Sequence, residues 1–277
     1  MVRRVEVQHK TLFVYADEVR RSISELRLEP VEGPGQNVER FKITTEPAAR
    51  LLIHVDGFGT RVTTLYTERP HRRLEIVATS VVALAMNEQP PDGDWGRVTR
   101  PDAAVDWRMG TPRTALPPEI VEPVCALRAD APTPKSFVEN AGNWLGEALA
   151  YEPGATHVGS DLREVFGRRA GVCQDYAHAL VSMLRSGGLP ARYASGYLLS
   201  GSDKSESGGH AWVEVLAGDD AWYGYDPVHA SWVQDRHVRV TSGRDYDDVV
   251  PVRGVFEGPA DHDLGVEVLV RELTHRA

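Results

Sequence analysis

The sequence predicts an α+β fold, in which a strand-rich N-terminal domain precedes helices that pack on an antiparallel sheet. Apolar residues alternate with polar ones from about residue 4 to residue 85, which is the period of half-buried strands. Residues 136–186 instead show apolar residues at helical spacing, and strand patterns return after residue 190. A chain of 277 residues with 42% hydrophobic content is long enough for two cores.

The boundary between the two parts is predicted from composition. Residues 87–118 concentrate Pro, Gly and Asp and show neither a helical nor a strand period. We therefore expect an N-terminal β domain over residues 1–100, a linker over 101–118, and a core over 119–277 that ends in a C-terminal β extension.

Short alternating runs define the strands of the N-terminal half. The residues that alternate with polar neighbours are Val5 and Val7, then Leu51, Ile53 and Val55, then Leu74, Ile76 and Ala78. Asp56–Thr60 (DGFGT) separates the runs LLIHV and RVTTLY, and its two glycines can adopt positive φ. This segment is a predicted hairpin turn.

Three helices and several strands are predicted in the second half. The helices are Ser136–Ala150, Asp161–Arg169 with Ser160 or Asp161 as its cap, and Gln174–Ser186 ended by Gly187-Gly188. The strands that follow are ARYASGYLL, HAWVEVLAG and AWYGYDP, with later pieces VRV and VEVLVREL.

Charge and motif content exclude several classes of function. The net charge of −9 argues against a general binder of nucleic acid or of anionic membranes. The sequence has no HExxH, GxxxxGK[ST] or GxSxG motif, so we expect neither a bound metal nor another cofactor. The N-terminus lacks the pattern of a signal peptide, and no segment offers the roughly 18 uncharged apolar residues that span a bilayer. We expect a cytoplasmic protein whose partner is a peptide or protein substrate, with its oligomeric state left open.

The cysteines need separate explanations, because a disulfide between Cys125 and Cys173 is not expected in a reduced cytosol. Cys173 lies at the predicted start of a helix, where free backbone N–H groups and the helix dipole favour a thiolate. The alternative is a small buried cysteine without chemistry. His178 lies five residues further along and is expected to pack or hydrogen-bond rather than to act as the base.

Two further residues complete a candidate site. His210 opens a strand, and Asp226 ends the next one. If these strands pair as antiparallel neighbours through a turn at Gly218–Asp220, the two side chains meet. A carboxylate at that point fixes the imidazole tautomer, so that the other ring nitrogen can take the proton of a thiol. The pattern predicts a Cys-His-Asp catalytic triad.

These residues lie in motifs that resemble the core of the transglutaminase-like superfamily. The motifs are GVCQDYAHALVSMLRSGGLPARYASGYL, HAWVEV and YDPVHA, and the segments LRLEP, DGFGT, LEIVATSVV and GRDYDDVVPVRGVFEG resemble a bacterial branch that carries an N-terminal β domain. The resemblance implies a papain-like core with Cys173 as nucleophile, His210 as base and Asp226 as orienting residue. The chain departs from the expected Asp-Pro-Thr-Asn, because Val228 and His229 follow Asp226-Pro227.

A cysteine nucleophile of this kind predicts a thioester acyl-enzyme formed from an amide, and the acceptor decides the product. We expect water, hence a cysteine peptidase or amidase. The alternatives are transfer to an amine by a protein-glutamine γ-glutamyltransferase, acyl transfer between small molecules as in arylamine acetyltransferases, and a non-catalytic protein-binding module. For the oxyanion and the substrate, the candidate contacts are the Cys173 backbone N–H, Trp212, Gln174 and Trp144.

Overall fold

The computed structural model describes residues 2–98, 104–199, 209–217, 221–258 and 261–273. Strands dominate its first third and helices its middle. The first strands are β1 (Arg3–Val19), β2 (Arg21–Leu26), β3 (Gln36–Glu46), β4 (Arg50–Val55), β5 (Arg61–Thr67) and β6 (His71–Leu84).

The helices and the remaining strands follow in chain order. They are α1 (Trp95–Val98), 3-10 helices at Val105–Arg108 and Pro112–Thr114, α2 (Pro118–Ala129), α3 (Pro134–Ala148), β7 (Ala150–Tyr151), α4 (Leu162–Arg168), β8 (Ala170–Gly171), α5 (Cys173–Ser186), β9 (Ala191–Leu198), β10 (His210–Leu216), β11 (Trp222–Asp226), β12 (Ser231–Trp232), β13 (His237–Gly243), α6 (Tyr246–Val249), β14 (Val252–Glu257) and β15 (His262–Glu272).

The N-terminal strands form two four-stranded antiparallel sheets with the order β15-β1-β6-β3 and β14-β2-β5-β4. Alternating residues of these strands, such as Leu65 and Ile76, are buried in a shared core. The predicted turn at Asp56–Thr60 joins β4 to β5. In it, the Asp56 N–H donates to the Thr60 carbonyl at 3.0 Å, and Gly59 takes a φ of +80°.

The second part is a five-stranded antiparallel sheet, in the order β12-β11-β10-β9-β13, covered by helices. Helix α5 packs against β9 and β10, and α3 packs against α5. Their buried residues, which include Phe137, Leu145, Leu180 and Val213, form one core. Burial of this apolar face holds the start of α5 against the ends of β10 and β11.

The two parts share a further core. Val5 and Val82 of the N-terminal sheets pack with Tyr197 and Val238 of the five-stranded sheet. Across the same contact, His9 Nδ1 lies 3.0 Å from the Tyr197 hydroxyl. The N-terminal sheets therefore stabilise the sheet that carries the candidate site residues.

The α+β fold class predicted from the sequence is confirmed. The predicted helices are present as α3, α4 and α5, whereas α2 was not predicted. Helix α2 begins after Pro117 with Pro118 in its first turn, a favourable place for proline, but Pro123 inside it breaks the helical pattern of the sequence.

The last two strands of the chain pair with strands of the N-terminal half. The C-terminal β extension consists of β14 and β15, which pair with β2 and β1 and so complete the N-terminal sheets. Part of the expected linker at 101–118 lies outside the described residues, and the domain boundaries stay a prediction. No described helix combines the length and the apolar character needed to cross a bilayer, and the cytoplasmic location also stays a prediction.

Candidate active site

Cys173 is the first residue of α5 and is partly exposed. Asp175, which is buried, fastens this end of the helix: its Oδ2 accepts hydrogen bonds from the Val172 N–H at 2.8 Å and from Thr156 Oγ1 at 2.6 Å. Burial raises the pKa of Asp175, although both hydrogen bonds favour its charged form. The thiol is thus held at a fixed helix N-terminus and can be reached from solvent.

His210 and Asp226 meet at neighbouring strand ends. Strands β10 and β11 pair antiparallel, and His210 Nε2 donates to Asp226 Oδ2 at 2.7 Å. The turn expected at Gly218–Asp220 lies outside the described residues. Both side chains are buried, and Asp226 is fully so.

The Cys173 side chain lies close enough to His210 to influence the pKa of the imidazole. Since Asp226 holds Nε2, Nδ1 is the ring nitrogen left for the thiol. Burial alone would lower the pKa of His210, but the hydrogen bonds and charges of Asp226 and Cys173 raise it to about 10. The structure therefore brings together the three residues that the sequence singled out, in the order thiol, imidazole, carboxylate.

Asp226 has two further imidazole partners that sequence reasoning missed. Its Oδ2 accepts from His229 Nδ1 at 2.8 Å and from His237 Nε2 at 3.0 Å. Its Oδ1 accepts from the backbone N–H groups of Val228 at 3.0 Å and His229 at 3.4 Å. Burial disfavours the charged carboxylate, but the hydrogen bonds from His210, His229 and His237 outweigh it and hold the pKa of Asp226 far below its usual range.

The two missed histidines differ in how visible they are in the sequence. His229 stands where the resemblance leads us to expect Asn, so its position was noted, and the structure shows its ring on Asp226. His237 begins β13, which reaches the site through β9. Its ring packs on Trp212 with a centroid distance of 5.3 Å, and its Nδ1 is buried without a hydrogen-bond partner. No local spacing in the sequence connects His237 with Asp226.

The remaining candidate residues have partners of their own. Trp212 is fully buried and its ring also lies 6.1 Å from that of His210, so it supports the imidazoles. Gln174 Nε2 donates to the Val158 carbonyl at 3.2 Å, and Trp144 is half-buried against Phe166. Roles for these residues in substrate or oxyanion binding stay predictions.

His178 is buried behind the nucleophile. Its Nε2 accepts the N–H of Tyr246 at 3.1 Å, and its ring lies 4.8 Å from that of Tyr193. Burial lowers the pKa of His178 to about 3, which keeps the ring neutral. These contacts agree with the packing and hydrogen-bonding role expected for it.

Among the described residues, one group has the composition of a metal site. The ligand atoms of His210, Asp226 and His229 all lie within 4.8 Å of one another. Imidazole nitrogen and carboxylate oxygen are ligands that zinc accepts.

Comparison with known proteins identifies the family of the chain. The model of the transglutaminase-like superfamily matches residues 125–227, and that of the bacterial transglutaminase-like N-terminal region matches residues 5–83. The uncharacterized protein ML0607 of Mycobacterium leprae is 32% identical over 278 residues, which cover 98% of this chain and 99% of that protein. The chain belongs to the transglutaminase-like superfamily.

Two further proteins match in structure or over a part of the chain. The crystal structure of a proposed cysteine protease from Cytophaga hutchinsonii has a TM-score of 0.80 and 16% identity, and the match covers 100% of this chain and 93% of that one. The protein-glutamine gamma-glutamyltransferase of Pseudomonas aeruginosa is 33% identical over 94 residues, 30% of this chain and 14% of that protein. The structural match shows a common fold.

Proposed function

We propose that this protein is a cysteine peptidase or amidase that cleaves an amide bond through a thioester on Cys173. The observation that carries the proposal is the 2.7 Å hydrogen bond from His210 to Asp226, with the Cys173 side chain close enough to His210 to raise the pKa of the imidazole. Partial exposure of the thiol allows a carbonyl carbon to reach it, while burial of the imidazole and the carboxylate keeps their geometry fixed.

In the first half of the proposed reaction, His210 Nδ1 takes the thiol proton and the sulfur attacks the amide carbonyl. The N–H of Cys173 lies at the helix N-terminus, where the dipole favours the negative charge that develops on the carbonyl oxygen. His210 then gives the proton to the leaving amine, and the C–N bond breaks. A thioester remains on Cys173.

In the second half, His210 Nδ1 takes a proton from water, and the resulting hydroxide attacks the thioester. The carboxylic acid leaves, and the returned proton restores the thiol. Asp226 acts throughout by holding Nε2–H, so that Nδ1 faces the sulfur. Its own position is fixed because Oδ1 is held by two backbone N–H groups.

Water is the proposed acceptor, in line with the cysteine protease class proposed for the structural relative from Cytophaga hutchinsonii. The Pseudomonas aeruginosa relative is named for transfer of a γ-glutamyl group, which makes an amine the competing acceptor. Both routes share the thioester, so they differ only after Cys173 is acylated.

The nucleophile can be tested within one molecule, because exposed Cys125 is an internal reference thiol. We expect iodoacetamide at pH 6.5 to alkylate Cys173 at least about tenfold faster than Cys125, as resolved by peptide mass spectrometry. The His210→Ala variant should bring the ratio of the two rates close to one. Equal rates in the wild type would overturn the proposed nucleophile and favour a protein-binding module.

The acceptor is tested separately with a casein substrate and a fluorescent primary amine. Hydrolysis releases new amino termini or ammonia without incorporating the amine, and both products should disappear in Cys173→Ala. Incorporation of the amine into glutamine side chains, at a rate above hydrolysis, would replace the hydrolytic proposal with the cross-linking one.

A further inference from the structure

The carboxylate of Asp226 has more imidazole partners than the proposed reaction uses. Orienting the base requires one imidazole, yet three ring nitrogens, on His210, His229 and His237, lie 2.7, 2.8 and 3.0 Å from the same oxygen. The three histidines come from the start of β10, the segment after β11 and the start of β13. Of these rings, that of His229 is 51% exposed, so this side of the cluster is open to solvent.

The geometry of the cluster is close to what zinc requires. Bond lengths of 2.0–2.2 Å to nitrogen and oxygen place neighbouring ligand atoms about 3.3 Å apart in a tetrahedral site. The nitrogens of His210 and His229 lie 2.7 and 2.8 Å from Asp226 Oδ2, so each contact must open by only about 0.5 Å. All three ligand atoms already lie within 4.8 Å of one another.

The surroundings would support the ligands. The N–H groups of Val228 and His229 hold Oδ1, which keeps the carboxylate turned with Oδ2 toward the imidazoles. His237 donates to Oδ2 from the side of the sheet, in the way that outer hydrogen bonds orient metal ligands. His229 provides the entry path, because His210 and Asp226 are buried.

We propose that His210, Asp226 and His229 form an inhibitory zinc site, an inference that rests on the proposed function for its consequence but not for the binding itself. When Zn²⁺ binds His210 Nε2 and His229 Nδ1, the proton of each neutral ring moves through solvent exchange to the other nitrogen of the same ring, to Nδ1 in His210 and to Nε2 in His229. Asp226 supplies the third ligand atom, and a water molecule takes the fourth position on the exposed side.

Inhibition follows from the tautomer. A neutral imidazole that binds zinc through Nε2 carries its proton on Nδ1, so Nδ1 has no lone pair. His210 then cannot take a proton from the Cys173 thiol or from the water that hydrolyses the thioester. Zinc at this site therefore blocks both halves of the proposed reaction while leaving the sulfur unbound.

The binding is tested by equilibrium dialysis of the full chain, freed of metal with a chelator, against zinc chloride in the presence of excess magnesium. We expect saturation at one zinc per chain. His229→Asn, which restores the residue of the family pattern, should weaken binding at least tenfold. Two variants should bind as the wild type does: Cys173→Ala, because the sulfur is not a ligand, and His54→Asn, because His54 is an exposed histidine on β4 remote in sequence from the cluster.

The location of the zinc site and its inhibitory role can each be contradicted by a separate result. Loss of zinc from Cys173→Ala together with full retention in His229→Asn would place the metal on the thiol and overturn the site. Absence of saturable binding to the wild type would also overturn it.

In the hydrolysis assay, half-inhibition of His229→Asn should need at least tenfold more zinc than half-inhibition of the wild type, each compared with its own zinc-free rate. If zinc saturates the site without slowing hydrolysis, the inhibitory role of the site is wrong. If the protein shows no hydrolysis, dialysis still tests whether the site binds zinc.

Discussion

His9 connects the stability of the whole protein to pH. It lies on β1, where its Nδ1 contacts the Tyr197 hydroxyl of β9 at 3.0 Å, and it is buried between the N-terminal sheets and the five-stranded sheet. Burial lowers the pKa of His9 to about 4, because the charged ring would lose its hydration there. The substitution His9→Gln removes the titrating group and keeps a polar side chain at the contact.

The two pKa values of His9 give the size of its effect on the free energy of unfolding. In the unfolded chain the ring takes up its proton near pH 6.5, and in the folded protein only near pH 4. Between these values the unfolded state binds more protons, so the free energy of unfolding falls as the pH is lowered. At about 1.36 kcal/mol for each pH unit, the loss reaches about 3 kcal/mol at pH 4 and is absent above pH 6.5.

Urea unfolding of wild type and His9→Gln, followed by tryptophan fluorescence from pH 7.5 to pH 4, measures this effect. The difference between their free energies of unfolding should change by about 3 kcal/mol in favour of the variant as the pH falls. His54→Gln, at an exposed position of β4, controls for the loss of a histidine and should follow the wild type. Parallel curves for wild type and His9→Gln would show that His9 does not cause this pH dependence.

Three further predictions concern the frame of the proposed site. Gly142→Ala in α3 places a Cβ 2.4 Å from Tyr225 Cε1, so it should lower the free energy of unfolding by about 1–3 kcal/mol in urea titrations. The matched change Gly146→Ala, one turn further along the same helix, meets nothing within 4 Å and should raise it by up to about 1 kcal/mol. Asp175→Ala leaves the Val172 N–H without its acceptor and should cost about 1–3 kcal/mol, with slower alkylation of Cys173 relative to Cys125; an unchanged ratio would show that Asp175 does not position the thiol. Asp226→Asn should slow hydrolysis about 10³–10⁴-fold, because an amide no longer fixes the His210 tautomer, yet leave Cys173 open to alkylation; near-normal hydrolysis would contradict the proposed orienting role.

Local patterns in the sequence were sufficient for most of the fold. The alternation of Leu74, Ile76 and Ala78 predicts β6 because a buried strand face repeats every second residue. Glycines after residue 186 predict the end of α5 for an equally local reason. The pairing of β14 and β15 with β2 and β1 could not be predicted in this way, since it joins segments more than 200 residues apart.

The residues of the candidate site also differ in whether local sequence patterns reveal them. Cys173, His210 and Asp226 could be found because each stands at the end of an element, and strands close in sequence usually pair. His237 could not, since it reaches Asp226 only through the order β10-β9-β13 in the sheet. That order depends on which strand pairs with β9, and this pairing is determined by the burial of side chains across the whole core.

His229, at the position where the resemblance leads us to expect Asn, allows one carboxylate to serve two proposed purposes. An Asn side chain at this position can donate to Asp226, but only an imidazole offers a donor that becomes a metal ligand once its proton leaves. When Nε2 of His210 carries its proton, Asp226 orients the ring for catalysis. When zinc is bound to His210 and His229, the metal occupies that same nitrogen of His210. The catalytic and the zinc-bound arrangement therefore exclude each other. It follows that Asp226→Asn should weaken zinc binding as well as catalysis, whereas His229→Asn should weaken zinc binding far more than catalysis.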